Sequence, residues 1–473
     1  MDRLLQEVTV IDTRGDAAGA EITSIALDHR RVGPGALFAC LPGRHADGHE
    51  FAGAAVAAGA GALLVEHTLP LAVPQVVVAP GTARAALARM ACALYGHPAR
   101  ALVTVGVTGT NGKTTVTHLV RAILTSARWP CAVIGTLDGA RTTPEAPDLQ
   151  RRLDGERRRG IQAVAMEVSS HALDQARVDG FRFTVAAFTN LSHDHLDYHG
   201  TMEAYFAAKA QLFTPEHAVA GVVNVGDAWG RRLADQATVP VSTVSMADAG
   251  LVTARQGSTT FTWRGRDVTL RLSGRYHVVN ALVAAAIAER LGVGDEAVVA
   301  GLCSARPVPG RFEVVETGAP FTVVVDYAHT PDALSAALGS ARELAGGRRV
   351  LVVFGCGGDR DRAKRPAMGA VAAADADLAV VTSDNSRSED PARIIDQVLA
   401  GISDPGNVRV EPERRAAIAA AVAAARPGDV VVVAGKGHET TLRAGDAVVE
   451  FDDRVVVADV VAAEMAARGG GPG

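Results

Sequence analysis

The chain has 473 residues, enough for about three domains. Hydrophobic residues make up 48% and charged residues 21%, a balance that supports large buried cores and excludes wholesale disorder. The net charge of −5 gives no electrostatic reason for nucleic-acid binding, and no apolar run reaches the ~18–20 residues of a membrane span.

Residues 1–98 read as a small α/β unit. ITSIAL and GALFACL are predicted as short strands, 51–58 as a helix, GALLVE and QVVVA as strands, and TARAALARMACALY as a helix. The N-terminal MDRLLQEVTVIDTRGD carries acids early and lacks the apolar stretch of a signal peptide. Polar turns, LDHRRVGPG and LPGRHADGHEF, join the strands, and turns of this kind are common binding surfaces.

Residues 99–308 read as a second α/β unit. The apolar run from Ala101 to Val107 is predicted as a buried strand and TVTHLVRAIL as a helix, with the glycine-rich GVTGTNGKTT (Gly106 to Thr115) between them. Strand, glycine-rich turn and helix cradle a phosphate chain, because backbone N–H groups point inward and the helix N-terminus adds partial positive charge. Gly109 and Gly112 let the backbone approach the phosphates. Lys113 is expected at the β/γ-phosphates, and Thr114 at Mg²⁺. The spacing is G-x-x-G-x-x-G-K-T, with Val107 where the strict pattern has glycine. AVAMEVSS ends a strand on Glu167, and VAAFTNLSHDHLDYHG ends another in a loop dense with His and Asp. Glu167 and His195 are candidate metal ligands through oxygen and imidazole, whereas His193 and His199 read as solvated. TMEAYFAAKAQLF is predicted as a helix carrying Lys209. LVTARQ, TTFTWRG and VTLRL read as a β-meander, and RYHVVNALVAAAIAERL as a helix.

Residues 309–473 alternate Val-rich strands with helices, the pattern of a mostly parallel, Rossmann-like sheet. Its strands end on Asp326 and His329, on Arg360, on Asp384, Asn385 and Arg387, and on Lys436, His438 and Glu439. Four such ends in one sheet are expected to line one crevice. The tail GGGPG reads as disordered.

Of the 47 basic residues only four are lysines: Lys113, Lys209, Lys364 and Lys436. A chain that uses arginine wherever a positive charge suffices marks its lysines as positions where a compact, deprotonatable ammonium is needed. The five cysteines (Cys40, Cys92, Cys131, Cys303, Cys356) are far apart with no CxxC, which argues against a zinc site or a disulfide framework and suits the cytoplasm.

The motifs TGTNGKTT, TTPE (142–145), MEVSSHAL (166–173), NLSHDHLDYHGT (190–201), AKAQLF (208–213), PGRFE (309–313), DYAHTPDAL (326–334), FGCGGDRDRAKRP (354–366), DNSR (384–387) and GKGHE (435–439) together resemble the Mur ligases of peptidoglycan synthesis, most closely their tripeptide-synthetase group. The resemblance covers nearly the whole chain. It implies three domains, at 1–98 for the UDP-substrate, 99–308 for ATP and 309–473 for the amino acid, with a central P-loop NTPase-like parallel sheet. The implied reaction is ATP-dependent amide formation through an acyl phosphate, with Mg²⁺. Gly109, Thr110, Asn111, Gly112, Lys113, Thr114, Thr115, Asn280, Arg311 and Asp326 would face the nucleotide. Thr114, Glu167, His195 and Lys209, the last as a carbamate, would face the metal, and Lys113, Lys209 and His195 would serve catalysis. Thr142, Thr143, Ser169, Gln175 and Arg177 would contact UDP-N-acetylmuramoyl dipeptide. Arg360, Asp384, Asn385, Arg387, Gly435 and Glu439 would hold the incoming diamino acid, expected to be diaminopimelate. The chain is expected to act as a monomer, without nucleic acid or membrane.

Three positions depart from the family pattern: His29 replaces a serine, His277 an asparagine, and Ser386 the proline of DNPR. Three alternatives stay open: a lysine-adding or specialised paralogue, a folylpolyglutamate synthetase-like ligase, and a non-catalytic P-loop switch.

Overall fold

The structure, a computed structural model, describes residues 1–43, 46–139 and 141–469. Three large sheets follow one another along the chain. The first has five strands in the order Asp12–Arg14, Gln75–Val77, Ala60–Val65, Ala36–Ala39 and Ser24–Ala26, parallel except for the first. Its helix Ala83–Leu94 buries an alanine-rich face against Leu37, Leu64 and Val76.

The central sheet is wholly parallel, in the order Val241–Val244, Ala218–Asn224, Phe183–Phe188, Val103–Thr108, Ala163–Glu167 and Cys131–Ile134. Both faces are covered, which explains why its strands are continuously apolar rather than alternating. One face packs on the helices Lys113–Ser126, Tyr276–Arg290 and Asp295–Ser304, and the other on Leu149, Leu173, Phe206 and Phe213. The strand Val103–Thr108 lies inside the sheet. The chain builds to one side of it with Cys131–Ile134 and Ala163–Glu167, then to the other with Phe183–Phe188. Its carboxyl end is therefore a topological switch point, where open α/β sheets bind ligands.

The meander is present as Thr253–Arg255, Ser258–Trp263 and Arg266–Leu270, all antiparallel. Its middle strand alternates half-buried and buried residues and delivers Phe261 and Trp263 to the central core. The third sheet runs Glu313–Val315, Thr322–Asp326, Val430–Ala434, Val350–Phe354, Leu378–Val381 and Val408–Val410, parallel except for its first strand. The valines of its four inner strands are buried on both faces, under the helix pair Pro331–Ala345 and Lys364–Asp375 and under the pair Arg414–Ala424 and Asp453–Gly469.

Several expectations need correction. The strand before the glycine-rich turn begins at Val103, because Pro98–Ala101 forms a 3₁₀ turn, and the following helix starts at Lys113. Sequence reading missed the strand Asp12–Arg14, the C-terminal helix Asp453–Gly469 and the hairpin Thr441–Ala444/Ala447–Glu450. These are respectively a short edge strand, an alanine-diluted helix and a weakly patterned ribbon. Gly469 closes the last helix, and the rest of the tail expected to be disordered lies outside the described residues, as do Arg44 and His45 of the first unit's polar turn. No helix among the described residues is long and apolar enough to cross a membrane.

Candidate active site

The carboxyl ends of the second and third sheets enclose a cavity of about 630 Å³. Thr110 to Thr115 line one side. Asp326, Arg360, Asp384, Asn385, Arg387, Gly435 and Glu439 line the other, with Thr142, Glu167, His195, Asn280 and Arg311 between them. Lys436 and His438 do not line it. Lys436 is fully buried, but all four strand ends of the third sheet reach the crevice, the last through Gly435 and Glu439.

Backbone geometry sets the turn. Gly109 has φ +144°, and a Cβ there would lie 1.9 Å from Thr189 Oγ1. Gly112 has φ +87°, and a Cβ there would lie 2.5 Å from Asn280 Oδ1. Both positions therefore need glycine. The turn is tied to the neighbouring strand end: Asn190 Oδ1 accepts from Asn111 N at 3.0 Å, and Thr110 Oγ1 accepts from Ser192 N at 3.1 Å. Lys113 Nζ donates to the carbonyls of Gly109 and Thr110, both at 2.9 Å, and Lys209 Nζ donates to the same Gly109 carbonyl at 2.8 Å. Lys209 is 1% exposed and lies over the Tyr205 ring. Burial, then the charge of Lys113, holds the Lys209 ammonium well below its usual range, and burial lowers Lys113 as well. Two ammonium groups sharing one carbonyl, among buried polar groups, form a site short of negative charge.

Glu167 is fixed by Thr136, whose backbone N–H and hydroxyl donate to its two oxygens at 2.8 and 3.1 Å. His195 begins the short helix Leu196–His199 in a left-handed conformation, and burial lowers its pKa to about 3, leaving a neutral imidazole. Carboxylate, hydroxyl and neutral imidazole donors from Glu167, Thr114 and His195 suit a hard divalent ion that takes its remaining oxygens from a phosphate chain. Among the described residues no group of three or more His, Cys, Asp or Glu converges to hold a metal alone. Arg311 donates to Thr114 Oγ1 at 3.0 Å and stacks on Tyr327. Asp326 accepts from Phe312 N and Ala328 N, and burial raises its pKa against the pull of Arg311.

Thr143, Ser169, Gln175 and Arg177 lie behind Thr142, outside the cavity lining. Thr143 Oγ1 donates to Glu167 O at 2.8 Å and accepts from Ser169 N. Arg177 donates to Thr143 O and Gln175 Oε1 and pairs with Glu145 at 3.0 Å. These four residues form one network continuous with Glu167.

On the C-terminal side, Asn385 Nδ2 donates to Glu439 Oε2 at 2.7 Å. Arg387 has a left-handed backbone, φ +51°, and donates to Gly358 O at 2.6 Å. Arg387 does not pair with Glu389 or Asp390: Glu389 is held by Arg362 and Arg365, and Asp390 caps the next helix. Burial and the charge of Arg360 lower the proton affinity of Arg387 against the pull of Asp384 and Glu439, while burial and Asp384 raise Glu439. On this side the cavity thus presents the guanidinium groups of Arg360 and Arg387 beside carboxylates.

His193 and His199 are not simply solvated. His193 Nε2 lies 2.9 Å from Asp361 of the third sheet's unit, and His199 Nε2 lies 3.0 Å from Ser170 Oγ. His277 is buried and does not line the cavity, although Asn280 does. His29 stacks on Phe51. Sequence reasoning missed Asp194, which is 4% exposed and meets His195, His329 and Lys364, and it missed Thr136. The scarcity of lysine was the signal that pointed to Lys364.

Residues 21–103 match the Mur ligase family catalytic domain, residues 107–288 the Mur ligase middle domain, and residues 310–437 the Mur ligase glutamate ligase domain. The chain is 44% identical to the UDP-N-acetylmuramoyl-L-alanyl-D-glutamate--2,6-diaminopimelate ligase of Streptomyces avermitilis, over 93% of each chain. It belongs to the Mur ligase family. The Streptomyces coelicolor protein of the same name is 45% identical, again over 93% of each chain. A solved structure of a UDP-N-acetylmuramoyl-L-alanyl-D-glutamate--2,6-diaminopimelate ligase superposes with a TM-score of 0.64 at 33% identity, covering 94% of this chain and 95% of that one. Within the Mur ligase frame, the glycine-rich turn belongs to the middle domain and the Arg387 loop to the glutamate ligase domain.

Proposed function

We propose that this Mur ligase joins 2,6-diaminopimelate, as the meso isomer, to the terminal D-glutamate of UDP-N-acetylmuramoyl-L-alanyl-D-glutamate, using ATP, in cytoplasmic peptidoglycan synthesis. The observation that carries the reading is the pairing of two sites in one cavity: half-buried Lys113 and buried Lys209 at a glycine-rich turn, and an Arg387–Asn385–Glu439 cluster opposite. The names of its relatives support the acyl and amine substrates.

The substrate carboxylate oxygen attacks the γ-phosphorus of ATP, and ADP leaves, giving an acyl phosphate. The amine nitrogen then attacks the acyl carbon. The tetrahedral adduct loses a proton and inorganic phosphate, leaving the amide. The first step brings two anions together and the second builds negative charge on the oxygen of the tetrahedral adduct, so positive charge already in place lowers both barriers. Lys113 and the N–H groups of Gly112 to Thr115 receive the phosphates, and Asn280, Arg311 and Asp326 border the nucleotide. Thr114, Glu167, His195 and Lys209 would hold Mg²⁺, which neutralises phosphate charge when bound. Lys209 fits as a carbamate: burial favours the neutral amine, the form that reacts with CO₂, and the product is an oxygen ligand. Thr142, Thr143, Ser169, Gln175 and Arg177 are assigned to the muramyl dipeptide. Arg360, Asp384, Asn385, Arg387, Gly435 and Glu439 are assigned to the far amino-acid head of diaminopimelate. In this reading residues 1–98 bind the UDP end, 99–308 ATP and 309–473 the amino acid, and the chain works as a monomer whose product supports cell shape and division.

The test is product mass after incubation with ATP, UDP-N-acetylmuramoyl-L-alanyl-D-glutamate and a panel of diamino acids. A product heavier by one diaminopimelate residue is expected. A lysine adduct, or ATP turnover without both substrates, would overturn the assignment.

A further inference from the structure

Resting on that reading, we infer that the hairpin Thr441–Ala444/Ala447–Glu450 is a positioning element for Arg387. The choice of acceptor amino acid then depends on a ribbon none of whose residues lines the cavity.

Arg387 is a non-glycine residue at φ +51°, a backbone state that persists only where its surroundings over-determine it. Ser386 supplies no ring to stiffen the loop. The stiffness comes from the hairpin. Arg387 N donates to Arg443 O at 3.2 Å, and Gly445 N donates to Arg387 O at 2.6 Å, so Arg387 and Ala444 form a parallel bridge. Arg443 N donates to Asn385 Oδ1 at 2.9 Å, which fixes the amide so that its Nδ2 faces Glu439. Arg443 therefore spends both backbone groups on the loop rather than on its own partner strand. The same ribbon sets the direction of the guanidinium and, through Asn385, of the facing carboxylate. Its base is tied down by Lys436, which is fully buried and donates from Nζ to Thr441 O. This gives a use for a lysine that the phosphate chemistry leaves unexplained.

Arg443→Pro removes the N–H given to Asn385 and leaves the cross-strand pairs Leu442–Val449 and Ala444–Ala447 in place. The expected result is a rise of about tenfold in KM for diaminopimelate with kcat within about twofold, because the far head is misaimed while the chemistry is intact. The low kcat/KM for L-lysine, which carries no far carboxylate, should not move, and acyl phosphate formation should match wild type. Adding Ser386→Pro should restore most of the lost selectivity by stiffening the loop from within. Should Arg443→Pro lack a cooperative melt, Lys436→Met, which cuts the hairpin's tether, is read the same way. Equal losses for both acceptors, or an unchanged ratio, overturn the inference. Wild type and Arg387→Ala separate the two claims. A wild type without preference for diaminopimelate sinks the functional reading. A preference lost in Arg387→Ala but kept in both hairpin variants sinks only the role of the hairpin.

Discussion

Lys364 Nζ lies 3.3 Å from Asp194 Oδ1, joining two side chains 170 residues apart that are each 6% exposed. Asp194 Oδ2 faces His195 at 3.4 Å and His329 at 3.6 Å. Burial alone would raise this carboxyl, but His329, His195 and Lys364 together hold it well below the usual range. The pair fastens the loop after the strand Phe183–Phe188 to the first turn of the helix Lys364–Asp375.

Removing one partner of a buried ion pair strands the other, at a cost of about 3–5 kcal/mol. Lys364→Met is therefore expected to let the second and third sheets' units separate, seen as a larger radius of gyration by small-angle X-ray scattering and a lower Tm. Adding Asp194→Asn should recover most of the Tm, since no charge is then left unpaired. An unchanged radius and Tm in the single variant would show that other contacts hold the units together.

The carbamate at Lys209 makes its own prediction. Lys209→Ala is expected to lose more than about 90% of ligase activity, because the proposed oxygen ligand is removed. A small carboxylic acid supplied in the buffer should partly restore turnover by placing an anion in the vacated space. Full activity of the variant without any additive would refute the carbamate.

Glu389 gives a pH-dependent prediction. Its two oxygens accept from Arg365 at 2.9 and 3.0 Å, and Oε1 also accepts from Asp359 N at 2.6 Å. The Arg365 hydrogen bonds are the main cause that brings its pKa from 4.5 down to about 2. Because the folded value is depressed, the stabilisation is complete above the ordinary carboxylate pKa and is lost as pH falls toward the folded value. Glu389→Gln should unfold at lower urea than wild type at neutral pH, and the gap should narrow steadily below about pH 4.5. A gap that stays constant down to about pH 3 would remove Glu389 from the acid-sensitive part of the fold.

The parts legible in the sequence were those written in local pattern. Gly109, Gly112 and Lys113 carry their geometry in their spacing, and Glu167 sits where an apolar run ends. The Val-rich strands announced a sheet buried on both faces. What was not legible depends on distance along the chain. Nothing near Asp194 shows that Lys364 will reach it, and nothing in TLRAGDAVVE shows that its backbone will pin Arg387. Glu389 and Asp390 stand next to Arg387 in the sequence, yet Arg365, 24 residues from Glu389, claims that carboxylate. His193 looked solvated because Asp361 lies 168 residues away.

The burial of the lysines has a consequence for labelling. Lys209, Lys364 and Lys436 are at most 5% exposed, and the N-terminal amine is engaged by Ala20 O. Acylating reagents that seek amines would find a surface made almost wholly of guanidinium, with Lys113, at the mouth of the glycine-rich turn, the most reachable lysine. Beyond the group carried by the N-terminal amine, the number of groups attached to the folded protein would then count vacant turns. A nucleotide that shields Lys113 would be read directly as mass not gained.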